Sequence, residues 1–142
     1  MEKDLSRFVA AHQRSFEIAL NEIQNGKKMT HWMWWIFPQM HGLGKSLTSQ
    51  YYAIQDLAEA RAFLSHPYLG RNLITITRAL LELVTDNPTL VFGRPDDWKL
   101  KSCMTLFASI SEYDSVFHQV LEKYFCGKQD KRTLSIINHH TN

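Results

Sequence analysis

The chain has 142 residues, a formal net charge of +2 and 44% hydrophobic residues. This length is typical of one domain, and the hydrophobic content is too high for a disordered chain. The weak positive charge argues against a nucleic-acid-binding protein but is compatible with a local basic site for an anionic ligand. We expect one helical domain over residues 1–142, with 138–142 as a frayed tail.

The first residues lead directly into a charged helical pattern, without the apolar stretch of a signal peptide. No apolar run approaches the ~18 residues that cross a bilayer. The two cysteines, Cys103 and Cys126, lack a metal-binding spacing, and we expect both to be buried free thiols. These features predict a cytoplasmic protein with no membrane partner.

Apolar residues recur at three- and four-residue intervals along most of the chain, which predicts helices. The first helix carries Phe8, Phe16 and Ile23 on one face and ends at Gly26, a residue suited to a left-handed cap. Residues 31–39 have neither helical nor strand periodicity. They form either a short helix capped by Thr30 or an extended segment that crosses the core.

Gly42 and Gly44 mark a loop, after which Ser46 or Thr48 starts a short helix. Asp56 opens a capping box for the next helix. Further helices are predicted from about residue 69 to 84, after Asp96 or Asp97, after Asp114 and after Asp130. The fold class is therefore all-α, a compact single-domain bundle of about five to seven helices, with one minor strand pair near Val91 and Phe92 as an open alternative.

The segment Gly42-Leu43-Gly44-Lys45-Ser46 suggests a phosphate-binding loop. The nucleoside triphosphatase motif also needs a glycine at position 39, which is Gln39, and a preceding strand. We therefore exclude that enzyme class. Backbone N–H groups at Gly44, the charge of Lys45 and a helix starting at Ser46 still suit an anion. The alternative is a simple glycine turn before a helix.

Three of the four tryptophans lie together, at positions 32, 34 and 35. These rings either pack in the core or line a pocket and stack on a planar ligand. His31, Gln39 and His41 flank them with polar groups. Farther along, Asp97 opens a helix that carries Lys99 and Lys101 in its first turns. Positive charges near the N-terminus of a helix interact unfavourably with the helix dipole, and a bound anion would offset this unfavourable energy.

The motifs His31-Trp32-Met33-Trp34-Trp35-Ile36-Phe37-Pro38-Gln39 and Gly42-Leu43-Gly44-Lys45-Ser46 resemble a bacterial family of unknown function, number 1810 in the domain-of-unknown-function series. The resemblance continues in His66-Pro67-Tyr68-Leu69-Gly70 and in the segment from Asp97 to Phe107. It covers nearly the whole chain and implies a mainly α-helical fold without an assigned activity. Some members carry the label calpastatin, but no pattern in this chain indicates protease inhibition.

A fainter similarity links the order of the helices to the YbiA-like ADP-ribose N-glycosidases. Those enzymes use an acidic residue in the motif Glu-His-x-x-Gln, and the nearest segment here runs from Ser49 to Gln55. Gln50 stands where the glutamate belongs. An amide cannot replace a carboxylate as a general base or as the stabiliser of an oxocarbenium ion.

The leading hypothesis is a binding module or cryptic enzyme for a phosphate-bearing small molecule, such as a nucleotide or ADP-ribose derivative. Its alternatives are a protein–protein interaction domain that uses the Trp/Met-rich segment and a YbiA-like N-glycosidase. No metal site is predicted, and the cofactor and the oligomeric state stay open. The residues predicted to bind the ligand are His31, Trp32, Gln39, Gly44, Lys45, Ser46, Tyr51, Asp97, Lys99 and Lys101.

Overall fold

The computed structural model describes residues 4–141, and the side chains of these up to residue 139. Within that range the chain forms nine helices, two more than the upper end of the predicted number. They are α1 (Ser6–Gln24), α2 (Met33–Ile36), α3 (Leu47–Tyr51), α4 (Leu57–Ser65), α5 (Leu69–Leu81), α6 (Pro88–Phe92), α7 (Asp96–Ala108), α8 (Val116–Phe125) and α9 (Lys131–Thr141).

The strand pair considered near Val91 and Phe92 is wrong, because both residues belong to α6. Asn87 caps this helix by accepting hydrogen bonds from the N–H groups of Thr89 and Leu90, and Pro88 occupies its first position. Proline there needs no backbone donor, so it suits a helix start. A five-residue helix is too short for its periodicity to be recognised in the sequence.

One hydrophobic core is shared by the helices. The apolar stripe of α1 packs against α5, while α7 packs against both α8 and α9. Phe63 and Phe107 lie at the centre of this core with their rings 5.7 Å apart, and both side chains are fully buried. No helix within the described range is long and apolar enough to cross a membrane.

Several helix ends agree with the local sequence signals. Gly26 has a φ of +84° after α1, and Ser46 caps α3 by accepting a hydrogen bond from the N–H of Ser49. Asp56 caps α4 by accepting a hydrogen bond from the N–H of Glu59.

The last two helices differ from the sequence prediction in detail. The cap of α8 is Ser115 rather than Asp114. The backbone is helical through Thr141, and Asn142 lies outside the described residues.

The tryptophan-rich segment forms the short helix α2 and crosses the core. Trp32 and Phe37 flank this helix and are buried, as is Met33 inside it. Beyond it, Ile54 donates its N–H to the carbonyl of Gln39 and accepts a hydrogen bond from the N–H of His41, both at 2.8 Å. This isolated bridge holds the base of the loop 41–46 against the core.

The two cysteines differ in environment. Cys103 is buried as predicted, and burial raises the pKa of its thiol well above the usual value. Cys126 is exposed, so the prediction of two buried thiols is wrong for this residue. It ends α8 in the left-handed region with a φ of +55°, which turns the chain away from the core.

Candidate functional site

A cleft of about 560 Å³ opens where the loop before α3, the start of α7 and the start of α9 meet. We call it the main cleft. Its walls combine indole rings, small hydroxyls and cationic groups. The lining residues are Trp34, Gln39, Leu43, Gly44, Lys45, Ser46, Ser49, Pro95, Trp98, Lys99, Ser102, Asp130 and Arg132.

The loop wall is shaped by contacts between Gly44 and α3. A Cβ atom on Gly44 would lie 2.4 Å from the Ser49 hydroxyl, so no larger residue fits without displacing that side chain. The Ser49 hydroxyl donates to the Ser46 carbonyl, and the Gln50 amide donates to the carbonyl of Lys45. Lys45 is therefore held at its backbone while its exposed side chain reaches the cleft.

The α7 wall presents Lys99 above an indole ring. Its Nζ lies 5.4 Å from the ring centroid of Trp34, which is a cation–π contact. The same Nζ lies 3.5 Å from Asp96, whose other carboxylate oxygen is 3.0 Å from the Nζ of Lys28. Asp96 and Trp34 together fix where the charge of Lys99 sits.

The α9 wall is anchored by Asp130. Its backbone N–H donates to the Thr105 hydroxyl of α7 at 2.8 Å. One carboxylate oxygen, Oδ2, accepts hydrogen bonds from both the N–H and the hydroxyl of Thr133. That oxygen caps α9, so the carboxylate is held by the fold. Arg132 follows on the first turn of α9 with an exposed side chain.

The main cleft has an excess of positive charge. Lys45, Lys99 and Arg132 line it, while Asp130 is its one acidic residue among those described. Neither Lys45 nor Arg132 has a carboxylate of residues 4–141 within salt-bridge distance. Two of the three cations are therefore available to an anionic ligand.

Five predicted binding residues converge on this cleft, although they come from separate segments. They are Gln39, Gly44, Lys45, Ser46 and Lys99. Whether they bind a ligand stays a prediction.

The other five predicted residues do not line the main cleft. Trp32 is 1% exposed and donates its indole N–H to Glu22 at 2.9 Å, so it belongs to the core. His31 is exposed elsewhere. Tyr51 is exposed beside the ring of Tyr52. The remaining two, Asp97 and Lys101, lie on α7.

Asp97 is buried and cannot reach a ligand in the cleft. Its Oδ2 accepts a hydrogen bond from the Thr89 hydroxyl at 2.7 Å and lies 3.6 Å from Nε of Arg94. It therefore joins α6 to α7, and the cap of α7 is Pro95 without a side-chain hydrogen bond. Lys101 lies two residues beyond Lys99 and lines a neighbouring cleft.

Glu22 explains why the chain before α2 turns inward. Its carboxylate accepts hydrogen bonds from the N–H groups of Met29 and Thr30, the Thr30 hydroxyl and the Trp32 indole. Burial opposes its ionisation, but these four donors outweigh that effect and lower the pKa of Glu22 to about 2. The ionised carboxylate thus organises residues 29–32.

Sequence reasoning missed Arg132 and did not distinguish Trp34 and Trp98 as cleft residues. The signal for Arg132 is the cationic run Lys128, Lys131 and Arg132 around the cap Asp130. Trp34 and Trp35 are both half-buried between the buried residues Met33 and Ile36, and a four-residue helix gives no periodicity from which the face of Trp34 could be predicted.

Gln50, the residue at the position of the glycosidase glutamate, does not line the main cleft. Its side-chain amide is instead 2.9 Å from the carbonyl of Lys45. The residue therefore stabilises the loop.

The chain matches, over residues 2–137, a family model described as a protein of unknown function (DUF1810). It belongs to this family, and the resemblance found in its motifs is confirmed. A similar solved structure is that of the conserved hypothetical protein Rv1873 from Mycobacterium tuberculosis. That structure is 39% identical with a TM-score of 0.92, over 95% of this chain and 96% of that chain. No curated protein matches.

Proposed function

We propose that the protein binds a phosphate-bearing small molecule, such as a nucleotide or an ADP-ribose derivative, in the main cleft. The observation that carries this proposal is the meeting of Lys45, Lys99 and Arg132 beside two indole rings in one cavity. Its volume of about 560 Å³ falls within the ~300–1,000 Å³ range of small-ligand sites.

The cationic groups account for the phosphate. Arginine matches two phosphate oxygens at once, and lysine acts as a compact point charge. The hydroxyls of Ser46, Ser49 and Ser102 line the same cavity and supply additional hydrogen-bonding groups. An anion among these groups would relieve the repulsion between neighbouring positive charges.

The indole rings account for a planar part of the ligand. Trp98 is 59% exposed, and Trp34 is half-buried under Lys99. Exposing such a ring to water is unfavourable, and stacking a base on an aromatic side chain is worth about 1–3 kcal/mol. The combination of rings and cations fits a nucleotide better than inorganic phosphate.

The alternative of a protein-binding surface needs a solvent-facing segment from Trp32 to Trp35. Trp32 and Met33 are 1% and 2% exposed, and the indole N–H of Trp35 donates to the Ser15 hydroxyl. Most of that segment is therefore occupied by contacts within the fold, and Trp34 faces the main cleft. No observation at the cleft favours glycosidic cleavage either, because Asp130 is engaged as a helix cap.

A thermal-shift screen against 5′-AMP, NAD⁺, ADP-ribose and sugar phosphates tests the proposal. A ligand at ~100 times its dissociation constant should stabilise the fold by about 2.7 kcal/mol. Lys45→Ala and Lys99→Ala should each weaken binding by about one to two decades, since a hydrogen bond to a charged group contributes roughly 1.5–3 kcal/mol.

Lys27→Ala is the matched control, because Lys27 is exposed and does not line the main cleft. This variant should bind as the parent does. The proposal fails if no compound in the screen shifts the unfolding temperature. It also fails if both cleft variants bind an identified ligand as tightly as the control variant.

A further inference from the structure

A second cleft adjoins the main cleft on the far side of Arg132. Its lining residues are Lys101, Lys128, Gln129, Asp130, Lys131, Arg132 and Leu134. Asp130 and Arg132 line both cavities, so the two clefts share one wall. The second cleft has a volume of about 620 Å³.

The residues that line the two clefts carry a larger net positive charge than the chain as a whole. Six of the 16 Lys and Arg side chains line them, against one of the 14 acidic side chains. This amounts to a net +5 there, although the chain as a whole carries +2. A field of this kind attracts a ligand with several negative charges.

Most of these cations are unpaired. Lys101, Lys128 and Lys131 have no carboxylate of residues 4–141 within salt-bridge distance. The Nζ of Lys101 lies 6.0 Å from the ring centroid of Phe125, on the end of α8. Asp130 does not neutralise them fully, because Oδ2 of its carboxylate is engaged by Thr133.

The placement of these groups is fixed by the fold. Lys99 and Lys101 project from one helix into different clefts, and the hydrogen bond from Asp130 to Thr105 holds the segment 128–132 against that helix. A single phosphate in the main cleft would leave the cations of the second cleft without a counterpart.

We propose that the ligand carries a second, separate phosphate, which lies in the second cleft. The chemical class is a nucleotide phosphorylated at two positions. Its base contacts Trp34 and Trp98, one phosphate lies among Lys45, Lys99 and Arg132, and the other lies near Lys128 and Lys131. This inference rests on the proposed function of the main cleft.

Calorimetric titration with 5′-AMP and with adenosine 3′,5′-bisphosphate tests it, because these probes differ by one phosphate. The bisphosphate should bind about 10- to 100-fold more tightly, as expected for one added set of charged hydrogen bonds. The double variant Lys128→Ala/Lys131→Ala should lose most of this advantage and keep the parental affinity for 5′-AMP.

The control is Lys27→Ala/Arg71→Ala, which removes two exposed positive charges outside both clefts. It should keep the full preference for the bisphosphate. Equal affinities for the two probes would overturn the second phosphate site and leave the proposed function standing. Binding of neither probe would overturn the second phosphate site, and the thermal-shift screen would then decide the proposed function separately. Tighter binding of single-stranded hexa-adenylate would assign the clefts to a nucleic-acid strand instead.

Discussion

Trp32 and Trp98 show how strongly the environment decides the role of one residue type. Trp32 is 1% exposed and contacts Phe37 and Phe92, whereas Trp98 is 59% exposed at the rim of the main cleft. The first ring stabilises the fold through burial, and the second is available to a ligand. Their contributions to stability should therefore differ by several kcal/mol.

Trp32→Ala should lower the free energy of unfolding by about 3–5 kcal/mol, since it leaves a cavity and removes one of the four donors to the Glu22 carboxylate. Trp98→Ala should cost under ~1 kcal/mol, because it removes an exposed ring and a surface cation–π contact with Arg94. Urea denaturation followed by circular dichroism measures both values. Similar losses in the two variants would contradict the assignment of Trp32 to the core.

At the scale of helices, His12 joins three of them. Its Nε2–H donates to the carbonyl of Trp35 in α2 at 2.8 Å, and its Nδ1 accepts a hydrogen bond from the Asn72 amide of α5 at 3.1 Å. Accepting at Nδ1 requires the neutral ring, whereas the Nε2–H can donate in either protonation state. Burial lowers the pKa of His12 to about 4, although the bond to Trp35 acts in the opposite direction.

This arrangement makes stability depend on pH. The unfolded chain binds a proton at His12 with an ordinary pKa near 6.5, while the folded chain resists it until about pH 4. The stabilisation is complete above pH 6.5 and is lost as the pH falls towards 4. Between pH 7.5 and pH 5 the free energy of unfolding should fall by about 2 kcal/mol from this residue.

Urea denaturation at several pH values from 7.5 to 5 measures that loss. His12→Gln is the comparison, because it removes the titrating group and leaves the other histidines in place. The variant should show a flatter dependence of stability on pH, whatever its stability at pH 7.5. An unchanged slope would mean that His12 is not held neutral by its neighbours.

Across the whole molecule, local signals in the sequence predicted much of the fold. The long amphipathic helices and the turns at Gly26, Ser46 and Asp56 depend on neighbouring residues, so they could be recognised from the chain alone. Among the four- and five-residue helices, α3 is predicted by its cap Ser46 and α2 is one of two open alternatives. The sequence does not predict α6, because one turn of helix has too few positions to show a period.

The candidate site was predicted only in part, for a different reason. Lys45 and Lys99 were identified from separate motifs, but their meeting with Arg132 depends on how α7 and α9 pack. Trp32 has the residue type of a binding site but is buried in the core, where its ring contacts Phe92 of α6. Such long-range packing leaves no periodic pattern in the sequence.

The walls of the main cleft come from three stretches of chain that lie far apart in sequence, at 34–49, 95–102 and 130–132. A ligand that touches all three acts as a non-covalent cross-link between them. Partial unfolding that separates α9 from α7 would then require the ligand to leave, so binding should suppress that opening.

Amide hydrogen exchange read by mass spectrometry can detect this effect. Saturating ligand should slow exchange together in the loop before α3, the first turns of α7 and the first turns of α9. The N-terminal half of α1, which does not line the main cleft, should exchange as before. Slower exchange in only one of the three stretches would show that the ligand contacts a single segment and does not connect the three.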